Sequence, residues 1–202
     1  EKSAPGAEKA GASPGGRRRR GKAAVRARLI EAAARVVGEH GYAGASIARI
    51  TQEAGVAHGA FYLHFSSRQE LFDILLPMIG DAMIEHIGGA VREARTLDEI
   101  ETQGLLANFG YLAEHPDLVR ILREAEYFAP EAYRDFIGRL GERYVGSLDR
   151  SRAAGEVRGF REEELPVLAD MLMGARNFLI ERYTAREDGC VPLPPEVARV
   201  YL

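Results

Sequence analysis

Leu71, Leu75, Ile79, Met83, Ile87 and Val91 place an apolar side chain at every fourth position over some twenty residues. That period draws one stripe along a helix, and its length of some twenty residues is far beyond an ordinary strand. A stripe of this length must be covered, so the chain has to pack helix on helix. From Lys22 onward no strand-like alternation persists, and two-residue hairpin signals are absent. The expected fold is all-α, a small N-terminal three-helix unit followed by a larger helical bundle.

The punctuation sets the boundaries. Val25, Leu29, Ala33, Val36 and Val37 predict a helix over 22–40, stopped by Gly41. Ser46 is the expected N-cap of a second helix that ends at Gly55. "HGAFYLHF" predicts a short third helix over 58–65. Ser67, with Glu70 three residues on, reads as a capping box opening the fourth, in which Pro77 should produce a kink or break. Further helices are expected at 97–114, 117–125, 130–154, 162–186 and 195–202. Three regions follow: an arm over 1–21, a three-helix unit over 22–66 and a bundle over 67–202. The arm is rich in Ala, Gly, Pro and Ser, ends in Arg17–Arg20, and reads as disordered.

Charge points to a partner. The net charge is -3, yet residues 1–28 hold nine Lys and Arg against two Glu. A basic end on an acidic body suits a polyanion reached by the N-terminal side. Arg20, Lys22, Arg26 and Arg28 are placed to neutralise phosphates there, together with Arg17–Arg19. The single cysteine, Cys190, makes no internal disulfide and fits a reducing cytoplasm. No run is apolar and long enough for a membrane span, and no secretory signal opens the chain. Nucleophile, P-loop and zinc motifs are missing, and His86 and His115 make no metal set, so neither an enzyme nor a cofactor or metal is expected.

Two short helices joined by "AGVA" form a helix-turn-helix whose turn needs the positive φ that Gly55 can adopt. Phe61 and Phe65 share the face that packs inward, with Gly59, Ala60 and Leu63 opposite and Tyr62 and His64 flanking. A face of such low relief fits a major groove. "GYAGASIARITQEAGVAHGAFYLHFSSRQELF" resembles the DNA-binding domain of TetR-family transcriptional regulators, over about residues 24–76. The resemblance implies that Ser46 meets a phosphate. It makes Ala57, His58, Gly59 and Ala60 the base-reading start of the recognition helix. Tyr62 and His64 would touch phosphates and thymine methyls, and Arg68 the backbone. Where many members carry a cation, this chain has His58, a titratable side chain that can donate to a guanine edge.

The resemblance also implies that the bundle encloses a small apolar or amphipathic ligand and forms a homodimer through its last two helices. Phe109, Arg123, Tyr127, Phe128, Met171, Asn177 and Phe178 are the candidate pocket residues. Taken singly, each of them reads first as ordinary core. The expected function is a ligand-responsive repressor binding double-stranded DNA at a palindromic operator. An activator, or a regulator controlled by a protein partner, stays open beside it.

Overall fold

The computed structural model describes residues 14–186 and 189–202. Its elements are α1 (Pro14–Gly44), α2 (Ile47–Glu53), α3 (His58–Phe61), α4 (Arg68–Ala90), α5 (Leu97–Glu114), α6 (Pro116–Phe128), α7 (Pro130–Ala153), α8 (Leu165–Leu179) and α9 (Pro195–Tyr201). The fold is all-α, as the stripes require. A two-residue antiparallel ladder, Ala185 with Cys190 and Arg186 with Gly189, is the one strand pairing among the described residues. No helix there is long and apolar enough to cross a membrane.

α1 starts earlier than its apolar stripe. The backbone is helical from Pro14, so the arginine run rides on the helix, and the expected disorder fails for residues 14–21. Pro suits a first helical turn and Arg is a good helix former, so a helix anchored by the buried Leu29–Val37 segment extends outward through them. Residues 1–13, the rest of the predicted arm, lie outside the described residues. At the other end Gly41 takes φ 70° and breaks the helical path where the sequence predicts a stop.

α4 runs through Pro77 without the break that is one of the two expected outcomes. The buried Leu71, Phe72, Leu75, Leu76, Met83 and Ile84 hold both halves against the core. Its cap also differs by one residue. Ser67 Oγ accepts from Glu70 N at 3.1 Å, but the Glu70 carboxylate accepts from the N–H and hydroxyl of Ser66, both at 2.6 Å. Those bonds lower the Glu70 pKa. The predicted 162–186 helix is α8 flanked by a 3-10 turn at Glu162–Glu164 and a π turn at Ile180–Thr184. In that last turn the buried Thr184 hydroxyl donates to Ile180 O.

Two close crossings fix the bundle. At Gly38 of α1 a β-carbon would fall 2.1–2.6 Å from the Asp117 side chain of α6. At Gly80 of α4 one would fall 2.5 Å from the buried Phe136 ring of α7.

Candidate nucleic-acid interface and bundle cavity

Ser46 caps α2 through its Oγ, which accepts from Arg49 N at 3.2 Å. Gly55 turns the chain at φ 62°. Arg28 of α1 closes over that turn, donating from Nη2 to the carbonyls of Ala54 and Gly55. Arg28 is itself exposed, and Nη2 is the atom engaged at the end of α2. α3 is only four residues long, with 62–64 in turns, so the helix predicted over 58–65 is half that length.

The two faces of α3 part cleanly. Phe61 and Phe65 are buried, their rings 5.4 Å apart. Ala57, His58 and Gly59 are exposed, Tyr62 is 56% and Leu63 69% exposed, and Ala60 is half-buried. A β-carbon built at Gly59 meets nothing within 4 Å. The His58 and Tyr62 rings stand edge to face at 6.0 Å.

Cations stand on the flanking elements α1, α2 and α4. Arg20, Lys22 and Arg26 are exposed on α1, and Arg26 lies 5.2 Å over the Phe65 ring. Arg68 lies 5.4 Å over Phe72 and makes a long 3.5 Å bond to Ala45 O. Arg49, exposed beside Ser46 and donating to Gly44 O at 2.9 Å, joins this set. Sequence reading passed over it; its place one turn after the N-cap was the available signal. The side chains of residues 14–18, including Arg17 and Arg18, lie outside the described ones.

Partial burial, then Lys22 and Arg26, hold the His64 imidazole below the usual histidine pKa of ~6.5. A base depressed in the folded chain is protonated more readily in the unfolded one. Stability is then fully present above about pH 6.5 and falls as the pH drops through the window below it. Thermal denaturation at pH 7.5 and 5.5 should show wild type losing more than His64→Gln. Equal losses would assign the effect elsewhere.

The bundle holds a cavity of about 600 Å³. α5 turns Ile100, Gly104, Asn108 and Leu112 toward it, one residue per turn. Arg123, Tyr127 and Asn177, predicted from sequence, line it; the other four candidates do not. Phe109 is buried, but one position round α5 from Asn108 it points into helix packing. Phe128 stacks on Tyr42, centroids 5.6 Å apart. Met171 and Phe178 are exposed with Val167 on the outer face of α8, while Met173 takes the inward place.

One end of the cavity is a polar cluster the sequence hid. Arg176 Nη2 donates to Glu101 at 2.8 Å and its Nε to Tyr201 Oη at 3.1 Å. Tyr144 and Tyr201 both donate to Glu101, at 2.5 and 3.2 Å. Arg176 also lies 5.1 Å over the Tyr144 ring. Burial opposes the Arg176 charge, but Tyr144 and Glu101 more than offset it and its pKa rises. Burial pushes the Tyr144 and Tyr201 hydroxyls up as well. Among the described residues no group of three His, Cys, Asp or Glu could hold a metal.

A joint ties the bundle to α1. Arg120 Nη1 donates to Glu39 O at 2.8 Å and Gly38 O at 3.4 Å, capping carbonyls that the Gly41 break frees. Its partner Glu124, 2.9 Å away, accepts from Tyr42 N at 2.8 Å. Gln69 of α4 donates to Phe128 O at 2.8 Å.

The family model described as bacterial regulatory proteins, tetR family, matches residues 29–75, the stretch that builds the α2–α3 unit and its supports. The nucleoid occlusion factor SlmA of Vibrio vulnificus (strain YJ016) is 33% identical over 143 residues, 67% of this chain and 71% of its own. That of Vibrio cholerae is 31% identical over 152 residues, 72% and 76% of the two chains. The chain belongs to the TetR family. As a TetR-family regulator it is a DNA-binding protein and not an enzyme. Solved structures repeat the fold. The TetR-family regulator PfmR of Thermus thermophilus aligns with TM-score 0.67 at 24% identity, over 86% of this chain and 94% of its own. The regulator FadR of Bacillus subtilis, in complex with stearoyl-CoA, aligns with TM-score 0.68 at 22% identity, over 76% and 83%.

Proposed function

We propose that this chain is a homodimeric repressor that reads a near-palindromic operator with α3 and releases it when a small amphipathic ligand enters the bundle. The observation that carries the DNA half is the division of α3. Its phenylalanines are buried, while His58, Gly59 and Tyr62 stand free on a low face, with Lys22 and Arg26 near His64 and Arg20, Ser46, Arg49 and Arg68 on the flanking elements. Such a face enters a major groove, and flanking cations and hydroxyls fix its register on phosphates. Ala57, Ala60 and His64 complete the contact surface.

The homodimer is supported by the outer face of α8. Val167, Met171 and Phe178 are exposed there, with Val200 of α9 beside them, and Gly174 and Ala175 allow close helix approach. A two-fold axis through α8 and α9 presents two recognition helices to half-sites about 34–36 Å apart, or a multiple.

The ligand half rests on the cavity, whose size suits a small molecule. α6 is the natural lever. Val119, Leu122, Arg123 and Tyr127 face the cavity, while Arg120 and Glu124 grip the end of α1. A ligand that displaces α6 or α4 shifts the DNA-binding unit only as far as it prefers the displaced state.

A gel-shift assay on palindromic DNA from the native promoter region tests the reading. His58→Ala plus Tyr62→Ala should weaken specific binding at least tenfold and spare nonspecific binding. Binding indifferent to both sequence and variant would end it. The SlmA relatives favour a second reading, in which a protein partner takes the ligand's place. The cavity favours the first.

A further inference from the structure

Resting on the ligand-responsive reading, we infer that the cavity takes an elongated, largely apolar, uncharged molecule bearing a neutral oxygen acceptor, such as an ester or ketone carbonyl. The acceptor sits between Asn108 and Arg176.

Length comes first. Ile100 and Leu112 both line the cavity and are twelve residues apart on one helix, so it extends about 18 Å along α5. Its walls are mostly hydrocarbon, including Met83, Ile84, Ile87, Leu122, Ile137 and Leu140. A compact polar metabolite would leave most of that wall uncovered.

The polar groups place the acceptor. Asn108 is 8% exposed, yet its Nδ2 reaches only the Met83 sulfur at 3.7 Å, a weak acceptor. A buried amide N–H held only by so weak an acceptor is costly, and a ligand oxygen that accepts from it relieves the cost. One turn back, Gly104 leaves room for Arg176, whose Nη1 and Nη2 would lie 3.7 Å from a β-carbon at that position. Arg176 spends Nε and Nη2 on Tyr201 and Glu101, and Nη1 has no acceptor among the described residues. Two donors thus face one stretch of cavity, a turn apart.

Charge selects a neutral acceptor. Glu101 already neutralises Arg176, so a bound carboxylate would add an uncompensated negative charge in a desolvated place. At the mouth Arg123 is paired with Glu181 at 2.8 Å. The exposed Arg143, Glu126 and Asp170 give no dominant sign that would draw an ion inward.

The test uses three probes of one chain length: methyl dodecanoate, dodecanoate and dodecyltrimethylammonium. Titration of the full chain and of Asn108→Leu gives affinities, and thermal denaturation shows that each variant folds. The ester should bind wild type at least tenfold tighter than either ion. Asn108→Leu should weaken the ester about five- to tenfold while the unliganded variant melts at or above wild type. An ion binding more tightly than the ester, or ester affinity unmoved by Asn108→Leu, overturns the inference and leaves the ligand-responsive reading standing. If no probe binds wild type, this inference fails; if in addition no small molecule from a lipid extract loosens operator DNA, that reading fails with it.

Discussion

Phe61→Ala should lower unfolding free energy by about 3–5 kcal/mol, and operator binding should vanish in the part of the population that stays folded. The size follows from full burial of the ring in the core that α1, α2 and α4 share. Truncation loses the transfer energy of the ring and leaves a hole that rigid neighbours fill only in part. The functional loss follows from the brevity of α3. A four-residue helix has no stability of its own, so its orientation depends on Phe61, Phe65 and the Arg28 clamp over the preceding turn. With Phe61 gone, His58 and Tyr62 keep their chemistry but lose their placement. Urea denaturation measures the first effect, and amide exchange over 57–65 the second. Leu63→Ala is the control. At 69% exposure it should change stability by no more than about 0.5 kcal/mol. If the two variants behave alike, Phe61 is not what seats the recognition helix.

What the sequence disclosed depended on how local the cause was. The boundaries of α2 and α5 and the turn at Gly55 were legible because caps and positive φ act within a few residues. The two faces of α3 were legible because one set of residues is large and aromatic and the other small. The start of α1 was not. A glycine- and arginine-rich segment has no stripe of its own, and its helicity is borrowed from residues that follow it.

The cavity was legible only as composition. α8 carries apolar residues on two faces, and nothing along it says that Met173 turns inward while Met171 and Phe178 turn out. Partners far apart in the chain were invisible for the same reason. Arg120 and Glu124 look like an ordinary surface pair at i, i+4 until α1 lies across them. Arg176 stood out in an apolar helix, but Glu101, 75 residues away, did not announce itself as its counter-ion.

That pair carries the second large effect. Glu101→Leu should cost about 3–5 kcal/mol, because it leaves the Arg176 guanidinium in a desolvated place without its counter-ion. The Arg176 and Glu101 side chains are 12% and 13% exposed, so water cannot take over the lost role, as it does at the surface pairs such as Arg161 with Glu163. Tyr144 and Tyr201 also lose the carboxylate that accepts their hydroxyl protons. Their oxygens are poor substitutes for a full negative charge beside Arg176. The double variant Glu101→Leu, Arg176→Leu removes both desolvation terms and should recover most of the loss, because a buried ion pair is worth little against apolar groups of similar size. The coupling between the two sites, read from denaturation of wild type, both singles and the double, should therefore be at least about 2 kcal/mol. A sum of independent losses would show that solvent reaches Arg176 after all. The double variant would then also separate folding from recognition: it retains Asn108 and the cavity walls but loses the guanidinium, so a folded double variant that still preferred the ester over the ions would show that Arg176 serves the fold and Asn108 alone receives the ligand.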